Sequence, residues 1–444
     1  MGRGPRVSVE APDSLPRLAT AEVIAVGSEL LTPFRTDTNS LFLTARLNEI
    51  GVVVRRKSIV GDSPTDLAGA IGEALARVDL LVVCGGLGPT DDDLTRETVA
   101  EVLGRSLHED SDILQQLRER FEARGWTMPE NNRRQACVPD GAVVLENPRG
   151  TAPGLWLEAG GRVVVLLPGP PRELEPMFAD LARGRLAERV SDERLYRRVV
   201  RVAGRGESHV EELAQPVYAA WRHGDPAIDT TILASPGSVE LHLSTRVATA
   251  PEATIVLDRA TAQLAVVLGD HVVSTDGRTL SEVVGDSLRR HGHRVAVGES
   301  CTGGLVSAAL VDTPGSSRYV VAGFVAYSNE TKRSVLGVGA ALLAEHGAVS
   351  EPVALAMAEG ARRAADVEIG VGVTGIAGPG GGTAEKPVGT VCIAVVAPDG
   401  GRTVRTLQLP GDRAMIRQMA TRTTVDLLRR VLARMETHEA VRGD

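Results

Sequence analysis

In the segment Val297-Gly-Glu-Ser-Cys-Thr-Gly-Gly304 an apolar strand gives way to a glycine-bearing turn that leads into a helix, and a serine stands on the turn. Such a turn exposes Ser300 Oγ at a sheet edge. The N–H groups of Ser300 and of the residues after it, at the helix start, can then receive a developing oxyanion. The same residues also suit a serine and a threonine that merely cap a helix. Phe324-Val-Ala-Tyr-Ser-Asn-Glu-Thr-Lys332 favours chemistry, because an apolar run there stops at a polar cluster holding Tyr327 and Lys332. A desolvated lysine can act as base for a serine in amide hydrolysis, with a tyrosine hydroxyl relaying the proton or orienting the amine. The same residues also suit an exposed helix-start lysine and a half-buried tyrosine; Lys332→Ala is expected to lose activity while folding normally, since an exposed lysine contributes little to stability. Pro314-Gly-Ser-Ser317 adds hydroxyls in a turn, which makes Ser317 a competing nucleophile or a substrate-binding group.

Two glycine-rich elements can take an anion. Val373-Thr-Gly-Ile-Ala-Gly-Pro-Gly-Gly-Gly382, containing Thr374, Gly375 and Gly378, follows a strand, and its successive N–H groups can cradle a phosphate with Lys386 or Arg413 supplying charge. It lacks both the Walker ending and the dinucleotide fingerprint. Near the other terminus, Cys84-Gly-Gly-Leu-Gly-Pro-Thr-Asp-Asp-Asp-Leu-Thr95 combines a glycine turn (Gly85, Gly86, Gly88, Thr90) with three carboxylates. Asp92 and Asp93 can hold a divalent metal that neutralises the anion, or can simply complement a helix dipole. Gly27-Ser-Glu-Leu-Leu31, with Glu29, and Leu166-Leu-Pro-Gly-Pro-Pro-Arg-Glu173 end further strands on the same sheet edge, where open α/β sheets gather their ligands.

The elements that must position these residues alternate as α/β structure. From Ala21 the rhythm reads βαβαβ with a parallel sheet, and this domain is expected to end near Val190. A small α+β connector is expected at 191–275, with strands at 197–203, 228–234 and 239–245. A further α/β domain follows at 276–437, its strands at 294–298, 320–327, 369–374 and 390–397 and its last helix at 412–435. Residues 1–20 and 438–444 are expected as extensions.

The chain has 444 residues, an apolar fraction of 43% and a charged fraction of 24%, which fit a soluble multidomain protein. Aromatics at 3% and a formal charge of -8 argue against nucleic acid as a partner. The four cysteines form no C-x-x-C pair, so neither a zinc site nor a disulfide framework is expected, and no membrane span is legible. A cytoplasmic protein is expected.

Glu299-Ser-Cys-Thr-Gly-Gly304, Tyr327-Ser-Asn-Glu330, His346-Gly-Ala-Val-Ser350, Val373-Thr-Gly-Ile-Ala-Gly-Pro379, Glu385-Lys-Pro-Val-Gly-Thr390 and Gly411-Asp-Arg413 together resemble the nicotinamide-nucleotide amidase domain of the CinA (competence/damage-inducible) family. The resemblance implies deamidation of nicotinamide mononucleotide to nicotinic acid mononucleotide, without a cofactor. It also implies a site of Ser300, Ser317, Tyr327, Lys332, Thr374 and Arg413. We read Ser300 as nucleophile, Lys332 with Tyr327 as base, Thr374 and the adjacent Gly375 and Gly378 on the nucleotide, and Arg413 on its phosphate. The N-terminal segments, with Asp37-Thr-Asn39 and Asn147-Pro-Arg-Gly-Thr-Ala-Pro-Gly154, resemble the family's molybdopterin-binding-like domain of three layers. This implies metal-dependent cleavage of ADP-ribose or of nucleotide pyrophosphates generally. Gly85, Gly86, Gly88, Thr90 and Asn39 would then lie on the ligand, and Asp92, Asp93 and Glu29 on the metal. Thr32-Pro-Phe-Arg35 departs from the Gly-Gln-Ile-Val expected there. A homodimer is expected. The competing reading is a pterin- or nucleotide-binding scaffold for competence or DNA repair, without turnover in the first domain. The middle segment lacks the G-x-x-G of a KH-like module, and a spacer role is expected for it.

Overall fold

The computed structural model describes residues 16–442, with side chains up to residue 436. By its internal contacts the chain divides into two compact units. One runs up to Tyr196 and takes in Arg246–Glu252; the other comprises Arg197–Thr245 and everything from Ala253 onward. The sheet of the expected connector therefore packs into the second unit.

The first unit is built on a six-stranded sheet in the order Val53–Val60, Thr20–Val26, Leu80–Cys84, Arg162–Leu167, Gly154–Ala159, Val143–Leu145. The first four strands are parallel, and the last two run antiparallel to their neighbours. Strand Leu80–Cys84 is buried along its whole length, as a central parallel strand covered on both faces must be. Its two faces feed separate cores: Leu80, Val82 and Cys84 pack with Phe178 and Leu174, whereas Leu81 and Val83 pack with Ile71 and Val99. The sheet is thus sandwiched between helices, giving three layers. The expected extension 1–20 is too long, since Leu18 is fully buried and its N–H donates to the Arg189 carbonyl at 2.7 Å. Residues 1–15 of that extension lie outside the described residues. The helix Ser111–Glu122 and the short pair Leu107–Glu109 with Cys137–Pro139 were not legible in the sequence.

The second unit holds two sheets. One has the order Ile228–Ser235, Ser238–Val247, Arg194–Ala203, Val272–Ser274. In the other, Val320–Val325, Val295–Glu299 and Ile369–Gly375 run parallel, then Thr390–Val396 and Arg402–Gln408 run antiparallel. Leu280–His291 begins on a capping box between Thr279 and Glu282 and stops at left-handed Gly292. The helix that follows the turn at Ser300 starts only at Leu305, because Gly303 and Gly304 have φ of 60° and 97°. The strand expected to reach Tyr327 stops at Val325, where Ser328 caps the helix Asn329–Leu336 by accepting from the Thr331 N–H. The last helix runs Arg413–Arg442, into the segment expected as a tail; residues 443–444 lie outside the described residues.

Candidate active site

Three parallel strands of the second unit end together, and their carboxyl ends set the site. Val295–Glu299 lies between Val320–Val325 and Ile369–Gly375, with Glu299 in register with Val325 on one side and Val373 on the other. Ser300 is the next residue, 8% exposed, and its N–H donates to the Val373 carbonyl at 2.9 Å. The helix Asn329–Leu336 then brings Lys332 back over the edge. Its Nζ donates to Ser300 Oγ at 3.1 Å, to the Ala326 carbonyl at 3.0 Å and to the Tyr327 carbonyl at 3.3 Å.

Lys332 is 1% exposed, among the largest fully buried side chains, so it is not the surface lysine on which a benign Lys332→Ala would depend. Burial pushes its pKa down, and no carboxylate counters that shift. A lysine so placed is available as a neutral amine against a serine hydroxyl. Cys301 next door offers no rival nucleophile, because burial pushes its thiol up to about 11.

The turn itself is clamped from two directions. Glu299 is fully buried; its Oε2 accepts from Thr302 Oγ1 at 2.7 Å, Gly304 N at 2.9 Å and Val306 N at 3.1 Å. Its Oε1 accepts from Ser307 N at 2.8 Å and Ser307 Oγ at 2.6 Å. From the last helix, Arg417 donates through Nε to the Cys301 carbonyl at 3.1 Å and through Nη2 to the Thr302 carbonyl at 2.8 Å. The expected oxyanion pocket is therefore corrected. The Ser300, Gly304 and Val306 amides are all engaged, and of the turn's amides those of Cys301 and Thr302, which face the Cys301 sulfur, remain. Neither clamp was assigned from the sequence. Glu299 carried a signal, an acid directly before the serine and three to eight residues before the helix donors; Arg417 sits over a hundred residues away on the last helix and carried none.

Tyr327 does not place its hydroxyl on the lysine. The side chain is 60% exposed and its Oη accepts from Arg413 Nη2 at 3.0 Å, while Arg413 Nη1 donates to the Gly378 carbonyl at 2.8 Å. It is the backbone carbonyl of Tyr327 that orients Lys332. Tyr327, Arg413 and the loop after Gly375 thus form one rim of the site. Thr374, 1% exposed, donates to the Ala348 carbonyl at 2.8 Å. At Gly375 a Cβ would come within 3.0 Å of Cys301 Sγ, so a side chain there would press on the turn bearing Ser300. Lys386 is committed to the His346 carbonyl at 2.7 Å. Ser317 is not brought in: it is exposed in the turn before Val320, the end of that strand opposite Val325. The six-residue strand alone separates it from Ser300 by roughly 16 Å.

In the first unit a cavity of about 640 Å³ opens at the carboxyl ends of the parallel strands. Its walls include Gly85, Gly86, Gly88, Thr90, Asn39, Glu29, Asp92 and Asp93, so the residues singled out in sequence share one site. Gly85 has φ of 103°, and a Cβ on it would meet the Val26 carbonyl at 2.2 Å, so only glycine lets these strand ends close up. Asn39 Nδ2 donates to the Gly169 carbonyl at 2.7 Å, tying a helix start to the opposite loop. The residues do not fit a ready-made metal centre. Asp93 Oδ2 accepts from the Thr90 N–H at 2.9 Å and from its hydroxyl, and so shapes the glycine turn. Glu29 Oε2 lies against Gly27, 2.6 Å from where a Cβ would stand. Among the described residues no three His, Cys, Asp or Glu side chains converge as a metal-holding group. The assignment of Asp92, Asp93 and Glu29 as joint ligands is accordingly withdrawn.

Fold and sites define a mixed α/β protein with a ligand-sized pocket at the edge of its first sheet and a buried serine–lysine pair at the edge of its last. Residues 277–432 match the CinA C-terminal domain, and residues 22–188 match a probable molybdopterin binding domain. A CinA-like protein of Koribacter versatilis is 46% identical over 416 residues, covering 93% of this chain and 99% of that protein. A putative competence-damage inducible protein of Symbiobacterium thermophilum is 45% identical over 423 residues, with 93% and 98% coverage. The chain belongs to the CinA family. Among solved structures, the competence/damage inducible protein CihA of Agrobacterium tumefaciens is 42% identical, with a TM-score of 0.34 over 35% of this chain and 93% of its own. No helix among the described residues is long and apolar enough to cross a membrane.

Proposed function

We propose that the second unit is an amide hydrolase acting on nicotinamide mononucleotide. The observation that carries this reading is the 3.1 Å contact between Ser300 Oγ and a buried lysine that has no carboxylate partner. Neutral Lys332 takes the proton of Ser300 as Oγ attacks the amide carbon. It then returns that proton to the departing nitrogen, which leaves as ammonia and an acyl-serine behind. Water, deprotonated by the same amine, frees the acid nucleotide. Of the turn's amides, those of Cys301 and Thr302 are the ones left as candidate donors to the transient oxyanion. The Arg413–Tyr327 rim and the Thr374–Gly378 loop are suited to the phosphate and ribose, and this choice of substrate rests on the likeness of the motifs to the nicotinamide-nucleotide amidases. For the first unit we propose a nucleotide or ADP-ribose ligand held by the Gly85–Thr90 turn, and derive no metal-dependent step. Incubating the full chain with nicotinamide mononucleotide and, separately, ADP-ribose, each with and without chelator, and measuring ammonia and AMP, tests both readings. Absence of ammonia from folded protein overturns the amidase.

A further inference from the structure

A second cavity, of about 430 Å³, lies wholly within the second unit, between its four-stranded sheet and the helices Leu280–His291, Leu305–Val311 and Arg413–Arg442. Neither Ser300 nor Lys332 lines it. Its volume falls in the range of small-molecule sites. Leu280, Leu305, Ala308, Ala309 and Val425 supply an apolar wall.

The charges around it are unequal in their partners. Arg201 is neutralised by an ion pair with Glu240, and its Nε donates to the Gly277 carbonyl at 2.9 Å. Arg422 hydrogen-bonds to neutral oxygens, Ser235 Oγ at 2.8 Å and the Pro236 carbonyl, and among the described residues it makes no ion pair with a carboxylate. Asp312 lines the same cavity and disfavours a ligand of several negative charges. The chemistry suits a small organic molecule with an apolar body and a single anionic group.

Both helices that clamp the catalytic turn also wall this cavity. Arg417, which holds the Cys301 and Thr302 carbonyls, lies within one or two turns of Gln418, Thr421 and Arg422, which face the cavity. Leu305–Val311, whose first amides hold Glu299, contributes Leu305, Ala308 and Ala309. We infer that this cavity is an effector site for a small apolar-bodied monoanion, whose binding is read at the Glu299–Ser307 turn through those two helices. Its consequence for turnover rests on the serine–lysine reading, but occupancy and the response of the turn do not.

The test uses 8-anilinonaphthalene-1-sulfonate, an aromatic body with one sulfonate, titrated by fluorescence into the full chain. Three proteins are compared: wild type, Arg422→Gln, and Ala308→Trp, which fills the cavity. Saturable binding should weaken about tenfold in Arg422→Gln, the loss of one charge-assisted hydrogen bond. It should vanish in Ala308→Trp. In wild type the probe should change amide hydrogen exchange in the peptide spanning 299–307, and in Ala308→Trp it should not. Circular dichroism of the free proteins checks that each is folded. Equal binding by all three proteins, or binding that leaves exchange at 299–307 untouched, overturns the proposal whether or not ammonia is ever released.

Discussion

Replacing Lys332 by methionine separates the chemistry of this side chain from its packing. The lysine stem is fully buried, so Lys332→Ala would remove four methylene-length positions from a closed environment and cost about 2–5 kcal/mol, confounding any loss of activity. Methionine fills nearly the same volume. It surrenders the hydrogen bonds to the Ala326 and Tyr327 carbonyls, about 1–3 kcal/mol for buried acceptors left unpaired. Where the pH leaves the lysine charged, the change also removes a cation whose burial no carboxylate offsets, which works in the opposite direction. The two oppose each other, and the melting temperature should move by no more than a few degrees. The rate should fall by about 10²–10⁴-fold, the range for loss of a positioned general base. Because burial lowers the lysine pKa, the wild-type rate should climb about tenfold per pH unit below that pKa and level off above it, at a pH below the 10.5 of a free lysine. The sign for stability follows. The folded pKa lies below the unfolded one, so the lysine's contribution is complete above the unfolded pKa and is lost as pH falls through the folded value. That alkaline slope should flatten in Lys332→Met. Ammonia release and thermal melts between pH 6 and about 10 measure both effects. A folded Lys332→Met protein that retains more than about a tenth of the wild-type rate would refute the base assignment.

Ser300→Ala should lose turnover by on the order of 10⁴-fold or more while still binding the nucleotide, whereas Ser317→Ala, far along the strand, should keep most of its rate within one chain; steady-state kinetics of both variants decides. Glu299→Gln presents an amide to donors that all need an acceptor, and should lower stability by about 2–4 kcal/mol and kcat with it, read by denaturant unfolding and ammonia release. Asp93→Ala frees the Thr90 turn and should weaken nucleotide binding to the first unit in calorimetry, with or without a divalent cation; a loss seen only with the cation would return a metal role to this residue.

The parts legible in the sequence were those dictated by local pattern. The buried strand Leu80–Cys84 and the turn at Ser300 announce themselves by apolar runs broken by glycine, and Lys332 by its place just after such a run. Lost to view were contacts set by distant chain segments. That Lys332 is buried depends on the helix Asn329–Leu336 folding back over the strand ends, and the Asn-Glu-Thr-Lys-Arg start of that helix reads as surface. That the Tyr327 hydroxyl turns to Arg413 depends on a helix 86 residues away. Strand Arg402–Gln408 was missed because an edge strand with exposed arginines has no apolar alternation to show. The motifs of the first unit placed its pocket well, yet residue type alone did not reveal that Asp93 spends its carboxylate on Thr90.

The central claim is that Ser300 is acylated by an amide nucleotide with Lys332 as its base. Rapid-quench mass spectrometry during turnover of nicotinamide mononucleotide tests it most directly. A transient adduct, equal to the nucleotide less ammonia, should appear on the peptide containing Ser300 and be absent in Lys332→Met. An adduct on Ser317, or ammonia released at the full rate by Ser300→Ala, would contradict it.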